Sequence, residues 1–398
     1  MLPTRRADLE EFAASVKKAV PRDLDDLYVE RVNEVRWRLR GTLAASQHTL
    51  TREGAAVRRG GRLSSADGLD GAVIASLLEV PRRGLADLDA PELPSAPTLD
   101  EVVAALGVAD VDLRWRGVWS AVVRDGAVAE GGKPALLEIV HPDGLRQLTV
   151  WPPAPDLEVL PPASEAAAPR PGRTTVLFAP AAAAVLLHEL FGHPLEADSL
   201  LRGASPWAGK FGQRVTPLAL DLDDDPGAAL PGAYVADDEG SPAGVRALLR
   251  AGELVGAIAD RSAAPALGAA PGNARRATCH APPRPRLSNL VVTAGGAEPP
   301  RAEARLEVTS AYSGTVEPRS GTLLLSVRSA WHLRGGERKG PAGAFTLSAS
   351  VGAAAAGLVA AGGLARASAA PGWCGKNGET LPTGAVAPWL LVAGLEVR

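Results

Sequence analysis

The chain contains 398 residues, of which 46% are hydrophobic, and its formal net charge at pH 7 is −3. This length is sufficient for two domains with cores of ordinary size. A net charge so close to zero gives no electrostatic reason to expect nucleic acid or an acidic membrane surface as a partner. The two cysteines cannot form a disulfide framework in a chain of this size. We therefore expect free thiols, and partners other than nucleic acid or membrane.

Two segments bear on the location of the protein. Residues 1–11 are charged and lack the apolar core of a signal peptide. Residues 351–365 form the most apolar later stretch, but they are rich in alanine and glycine and shorter than the roughly 20 residues that span a bilayer. The simplest expectation is a cytoplasmic protein.

The first 150 residues alternate between helical and strand-like patterns. Apolar residues recur at helical spacing in residues 9–20 and 70–78. Strand-like alternation occurs in residues 26–32 and 34–40, and shorter strand-like pieces such as 55–59 follow. Residues 112–150 are rich in predicted hairpins. This mixture predicts an α+β fold with mostly antiparallel sheets.

Two proline-rich segments divide the chain. Residues 89–98 form a linker by composition, after which Thr98 and Glu101 form a capping box that starts a helix. Proline is densest between residues 151 and 172, where neither helix nor sheet can persist. We place the domain boundary near residue 165. This division predicts an N-terminal α+β domain at 1–160 and a C-terminal domain at 165–398.

The second half is predicted to begin with a buried strand at 174–178 and a helix at 181–191. Residues 221–225 predict an acidic loop. Ser241 and Pro242 are typical of a helix start and Gly252 of a helix end, so we predict a helix at 243–251. Alternation of apolar and polar residues then predicts strands at 305–308, 322–328, 344–347 and 389–392.

The stretch HELFGH at residues 188–193 places two imidazoles and a carboxylate within six residues. Imidazole is the usual ligand for zinc, and a carboxylate beside it can take a proton from a metal-bound water. Residues five apart lie about 140° apart on a straight α-helix, so both histidines reach one metal only if the helix ends or bulges between them. We predict that the helix ends at Phe191, because Gly192 favours a helix end and Pro194 disfavours its continuation. A π-type bulge around Gly192 is the alternative.

A catalytic zinc site usually has three protein ligands and an open fourth position for water, so a third ligand is needed. Cys374 is favoured, since it lies between two glycines where the backbone can approach a metal closely. Cys279 and His280 share a predicted loop and remain open on chemistry alone. Glu196 and Asp198 are close in sequence and would make a harder site. An apolar helix with two incidental histidines is the remaining interpretation of the motif.

The segment at residues 188–198 resembles the signature of the TldD/PmbA metalloprotease family, also named as modulators of DNA gyrase. In that family, His-Glu-x-x-x-His is followed by Leu-Glu-x-Asp. Further matches occur in the same order at VADDEG (235–240), PRLSN (285–289), Ser313-Gly with Gly321, and CGKNG (374–378). Five ordered motifs make a chance match improbable, although the N-terminal third agrees only in pattern.

The resemblance implies that zinc is held by His188, His193 and Cys374, with Glu189 as the general base. It also implies a two-domain α+β fold of the TldD/PmbA type, in which residues 165–398 form the metal-binding protease domain. The family works as dimers, so we expect a homodimer or a heterodimer with a paralogous subunit. The expected activity is zinc-dependent hydrolysis of unfolded, modified or leader-type peptides, in which Glu189 activates the zinc-bound water.

Six further residues are candidates for substrate binding: Asp237, Asp238, Glu239, His280, Arg286 and Asn289. The three acidic residues either complement the start of the predicted helix at 243–251 or bind a substrate ammonium or arginine group. His280 and Arg286 are candidates for stabilising the oxyanion of the reaction. Asn289 belongs to the PRLSN motif.

A second class of function is compatible with the same motifs. The chain would then be a non-catalytic peptide-binding or assembly subunit that keeps the metal for structure. A closed site with four protein ligands would favour this alternative. An open position faced by Glu189 would favour the peptidase.

Overall fold

The computed structural model describes residues 6–20, 24–83, 85–86, 88, 91–154, 159–160, 163–293, 296–297, 299–317 and 320–398. Its helices are α1 (Arg6–Ala19), α2 (Gly71–Leu78), α3 (Leu99–Leu106), α4 (Pro180–Leu187), α5 (Ala197–Leu201), α6 (Ala264–Leu267) and α7 (Val351–Ala356). Short turns of other helical types cover His188–Gly192, His193–Leu195 and Arg301–Glu303.

The first sheet has seven strands and lies within residues 26–150. They are β1 (Asp26–Arg40), β2 (Leu43–Arg59), β3 (Arg62–Asp67), β4 (Asp112–Arg124), β5 (Ala127–Glu130), β6 (Leu136–Val140) and β7 (Arg146–Val150). The order is β3-β2-β1-β4-β6-β7, with β5 beside β4 and all pairs antiparallel. The two strands predicted at 26–32 and 34–40 are one continuous strand, β1.

Strands from residue 172 onward belong to other sheets. The large sheet contains β8 (Gly172–Phe178), β9 (Asp221–Asp224), β10 (Arg246–Arg250), β11 (Glu253–Leu254), β14 (Asn289–Thr293), β15 (Leu306–Glu317), β16 (Thr322–Arg334), β17 (Glu337–Ala342), β18 (Phe345–Ser350), β19 (Leu358–Lys376) and β20 (Glu379–Val397). A separate small pair consists of β12 (Ala274–Arg275) and β13 (Arg284–Pro285).

Strand β20 holds the large sheet together. It pairs antiparallel with β8, β18 and β19 and parallel with β14. Because β8 pairs with both β15 and β20, the strands β20, β18, β16, β15 and β8 close into a ring. Helix α4 packs against β15, β19 and β20 with all of its residues from Ala182 to Leu187 buried. A helix that is apolar on every side is typical of such a core position. The predicted α+β class is confirmed.

Two predictions in the second half are wrong. Residues 221–224 form the strand β9 rather than a loop, and residues 246–250 form β10 rather than part of a helix. Ala251 and Gly252 have φ values of 47° and 79°, which suit a two-residue hairpin turn between β10 and β11. Gly252 therefore closes a hairpin instead of ending a helix. The three acidic residues at 237–239 have no helix start to complement.

Buried charges connect the two parts of the chain across the predicted boundary. Arg58 on β2 donates a hydrogen bond to Glu239, at 2.5 Å, and also pairs with Asp26. Lys133 lies 2.7 Å from Asp238, whose carboxylate is buried. Such pairs compensate both charges for the loss of water. The loop at 237–239 therefore docks the C-terminal part onto the first sheet.

The boundary itself stays a prediction. Residues 155–158 and 161–162 of the proline-rich segment, like Asp89 and Ala90 of the shorter linker, lie outside the described residues. Within the described part of the chain, no strand pairs with strands of both sheets. Among the described residues, every helix is too short or too polar to cross a membrane.

We expect Glu239→Ala to lower the free energy of unfolding by about 3 kcal/mol, because it removes one partner of a buried ion pair. Urea unfolding followed by circular dichroism measures this change. Glu337→Ala is the control, since the Glu337–Lys339 pair is exposed and its loss should leave the unfolding midpoint unchanged. Equal midpoints for both variants would contradict the docking role of the loop.

Candidate metal centre

A π-helical turn brings the two histidines of the motif together. Helix α4 ends at Leu187, and the amide of His193 donates a hydrogen bond to the carbonyl of His188. A bond from residue i to i+5 places residues five apart above one another. The two rings accordingly have their centroids 4.7 Å apart and meet edge to face. The bulge considered as the alternative is the observed solution.

The predicted helix end at Phe191 is wrong for a reason that the backbone explains. Gly192 has a φ of −78° instead of a left-handed value, and His193 remains helical with a φ of −52°. In an α-helix the carbonyl of Leu190 would accept from residue 194, but Pro194 has no amide hydrogen. The indole Nε1 of Trp207 donates to that carbonyl instead, at 2.7 Å. The buried Leu190 carbonyl is therefore hydrogen-bonded although the chain does not continue as an α-helix.

Cys374 on β19 supplies a third donor to the pair of histidines. Its Sγ lies 3.3 Å from His193 Nε2, and the donor atoms of the three residues lie within 4.8 Å of one another. Burial raises the pKa of the Cys374 thiol, but the neighbouring His193, His188 and Arg286 outweigh burial and lower it well below its usual value. Two imidazoles and a thiolate are ligands typical of zinc.

The other cysteine is far from this cluster. Cys279 is buried against Tyr28, Ala56 and Val122 of the first sheet. Burial raises its pKa to about 12, so the thiolate that a metal needs is disfavoured. Its amide donates to Glu30 at 2.8 Å, which makes it another contact between the two parts of the chain.

Carboxylates and a lysine surround the three donors. His193 Nδ1 donates to Glu196 Oε2 at 3.3 Å, which leaves Nε2 facing the thiol. Lys376 Nζ lies 2.7 Å from Glu196 and 2.5 Å from Asp198. Burial alone would raise the pKa of Glu196, but His193, Lys376 and Arg286 lower it strongly. The carboxylates that were open as ligands therefore act as hydrogen-bond partners around the ligand cluster, the usual arrangement for a metal-binding histidine.

The cluster fits a metal ion by a further test. His188 Nδ1 is buried and has no hydrogen-bond partner among the described residues. A buried polar atom left without a partner costs about 1–3 kcal/mol. A metal ion or another ligand bound to this nitrogen would remove that cost. The donor set and the orphaned nitrogen thus both indicate metal binding.

Glu189 lies beside the cluster at the wall of a cleft of about 610 Å³. Burial raises the pKa of its carboxyl group. A Cβ atom placed on Gly314 would come within 2.2 Å of Glu189 Cγ, so only glycine leaves room for this side chain. The cleft is also lined by the three metal-binding candidates and by segments 312–316 and 373–377.

Of the six candidates for substrate binding, only Arg286 contacts the cluster, through Cys374. Asn289 is buried and accepts hydrogen bonds from Gly232 and Gly384. His280 lies at the surface beside Ser65 and Asp67. The carboxylate of Asp237 accepts from three backbone amides, while the other two acidic residues pair with Lys133 and Arg58 as described above. These residues line no part of the cleft.

Sequence reasoning missed two contributions to the site. Lys376 was noted only as part of the CGKNG motif, although it stands two residues after Cys374, on the same face of a strand. Trp373 donates through its indole to Glu138 on β6 at 2.5 Å, and Arg146 on β7 covers its ring. The first sheet thereby reaches the residue next to the candidate thiol ligand. The sequence showed the spacing between Cys374 and Lys376, but it gave no signal for the long-range contact between Trp373 and Glu138.

Residues 171–398 match the family model described as the PmbA/TldA metallopeptidase C-terminal domain, which covers more than half of the chain. The chain belongs to this family. The resemblance drawn from the five motifs is therefore confirmed. A metallopeptidase family implies a metal ion, and the cluster of His188, His193 and Cys374 is the candidate for its site.

Relatives and solved structures agree with this assignment. The metalloprotease TldD homolog of Haemophilus influenzae is 30% identical over 220 residues, which are 54% of this chain and 45% of that protein. A metalloprotease of Synechocystis is 35% identical over 187 residues, 44% of this chain and 39% of the relative. The chain thus spans less than half the length of these relatives. The crystal structure of TldE from Thermococcus kodakarensis superposes with a TM-score of 0.72 at 15% identity, covering 98% of this chain and 100% of the other. That likeness shows the fold.

We expect about one metal ion per protomer, and we expect Cys374→Ala to lose it. The substitution leaves two imidazoles, so affinity should fall well beyond the ~10–100-fold that follows the loss of an outer hydrogen-bond partner. Elemental analysis and calorimetric titration measure both quantities. Cys279→Ala is the matched control, because it removes the other buried thiol and should keep the metal. Loss of metal from the Cys279 variant alone would overturn the ligand assignment.

Proposed function

We propose that this chain is a zinc-dependent peptidase that hydrolyses unfolded, modified or leader-type peptides. The observation that carries the proposal is that the His188, His193 and Cys374 donors and the Glu189 carboxyl group line one cleft. Membership in a metallopeptidase family supports it. The names of the two relatives, both called metalloproteases, support it further.

His188, His193 and Cys374 would hold the zinc ion, and three protein ligands are the usual number for a catalytic zinc site. When bound, zinc lowers the pKa of a coordinated water from about 15.7 to about 7 and polarises a carbonyl oxygen. The Glu196 carboxylate, through His193 Nδ1, fixes the orientation of that imidazole. These residues therefore prepare the cleft for attack on a peptide carbonyl.

Glu189 supplies the proton transfers of the reaction. As general base it accepts a proton from the attacking water, and as general acid it delivers that proton to the leaving amine. Burial raises the pKa of its carboxyl group. Its position against Gly314 holds the carboxyl group at the cleft wall.

The shape of the site supports an unfolded substrate. His188, Glu189 and Cys374 are exposed by 5% or less, so the reacting groups lie below the surface. The surface of a folded protein cannot descend to this depth, whereas an extended chain can enter a cleft. Peptides with little structure are therefore the substrate class that fits.

The alternative of a non-catalytic subunit with a structural metal is less well supported. Among the described residues, the candidate donors number three rather than four, and Glu189 occupies the same cleft. Structural zinc sites are almost always closed by four protein ligands. The dimer, either with a second copy or with a paralogous subunit, and the cytoplasmic location are parts of the proposal that rest on the sequence and the family resemblance.

We expect Glu189→Gln to bind zinc normally but to cleave peptides about 10²–10⁴-fold more slowly, because the amide keeps the shape and loses the base. Turnover of a peptide mixture followed by mass spectrometry, together with metal analysis, measures both properties. Glu253→Gln, at the exposed Glu253 of β11, is the control and should retain full activity. Near-normal turnover in the Glu189 variant would favour the non-catalytic alternative or a different base.

We expect Gly314→Ala to reduce turnover about 100-fold while zinc stays bound, because the added methyl group displaces Glu189 and a shift of about 1 Å can have this effect. Gly340→Ala is the matched control, since a Cβ atom at this other strand glycine meets nothing within 4 Å. Equal turnover in both variants would show that the Gly314–Glu189 contact is unimportant.

A further inference from the structure

Arg286 lies behind the metal-binding thiol, just after strand β13, with 1% of its surface exposed. Its Nη2 lies 2.5 Å from the carbonyl oxygen of Cys374 and 3.1 Å from its Sγ. Its Nε lies 3.5 Å from Glu196 Oε1. The guanidinium thus stands between the thiol of one ligand and the carboxylate that orients another.

The position of Arg286 does not suit the oxyanion role that the sequence suggested. Its Nη2 is directed at Cys374, and the residue lines no part of the cleft where a substrate carbonyl would lie. An oxyanion donor has to point at the reacting oxygen. Arg286 therefore acts on Cys374 and Glu196 from the side of the site that faces away from the cleft.

The guanidinium is always charged in proteins, so its hydrogen bond to the sulfur is charge-assisted. The Glu196 carboxylate has its own close cation in Lys376, at 2.7 Å. The strongest interaction left for Arg286 is with the thiolate. A donor on a thiolate withdraws electron density from the sulfur and so weakens its donation to a metal.

We propose that Arg286 is a positioning residue that balances the charge of the Cys374 thiolate and keeps the bound metal electron-poor. One guanidinium nitrogen, Nη2, contacts both the Cys374 carbonyl and its Sγ, while Nε faces the Glu196 carboxylate at 3.5 Å without a hydrogen bond. Lysine has a single point charge and cannot reproduce that arrangement. This role rests on the metal site that the proposed function requires, but not on the cleavage of a peptide.

Cobalt(II) in place of zinc tests the role directly, because a thiolate–cobalt centre absorbs through charge transfer from sulfur. We expect Arg286→Met to move this band to lower energy, since the sulfur lone pairs are no longer stabilised by a donor. The visible ligand-field bands should keep their tetrahedral pattern. Arg286→Lys should give a smaller shift in the same direction and serves as the test if the methionine variant does not fold.

The matched control is Arg275→Met. Arg275 is also buried, and it donates to the carbonyls of Leu287 and Pro382 but makes no hydrogen bond to the sulfur. Its charge reaches the sulfur only through space, so its loss should destabilise the fold and move the charge-transfer band much less than the loss of Arg286 does. A wild-type band position in both Arg286 variants, or an equal shift in the Arg275 variant, would overturn the role of Arg286.

The cobalt spectrum also separates this role from the proposed function. A charge-transfer band that shifts in the Arg286 variants of a protein without peptidase activity would uphold the role and overturn the proposed function. The absence of any thiolate band in the unsubstituted protein would overturn both the ligand set and the role of Arg286.

Discussion

The hydrogen bond from the His193 amide to the His188 carbonyl is the contact on which the site depends. It widens one turn of the helix, and only this widening puts imidazoles five residues apart on the same side. The wider turn is stable here because Pro194 could not have continued an α-helix and Trp207 satisfies the carbonyl of Leu190. Because the preceding helix α4 is buried on every side, close packing opposes a change in the geometry of the turn.

The N-terminal elements were predictable because their signals are local. The capping box of Thr98 and Glu101 and the apolar spacing before Leu78 depend on residues within one or two turns of each other. The three candidate donors that the structure brings together were also named from the sequence, the histidines by their residue type and Cys374 mainly through the family resemblance. The π turn could not be distinguished from an α-helix in the sequence. The hydrogen bond to the Leu190 carbonyl comes from Trp207, which lies 17 residues further along the chain.

The failed predictions share a cause of the same kind. The signals around residues 241–252 are typical of a helix, but the segment pairs with β9, whose partner β14 is supplied by residues far along the chain. Asp238 and Glu239 stay untested as substrate-binding residues, but in the sequence they look unpaired because their cationic partners are remote. Arg58 is 181 residues from Glu239, and Lys133 is 105 residues from Asp238. When the partner of a buried carboxylate lies far along the chain, the local sequence does not show that the carboxylate forms an ion pair.

The separation between the two halves of the metal site has a consequence for synthesis of the protein on the ribosome. The thiol of Cys374 follows His193 by 181 residues and is held in place by β20, the strand that pairs with four others. At about 5–20 residues per second, roughly 10–40 s pass between translation of the histidines and of this last strand. During that interval the two histidines are present without the third candidate donor. The three candidate donors can therefore come together only after translation has passed Cys374, and their assembly is coupled to the pairing of β19 with β20.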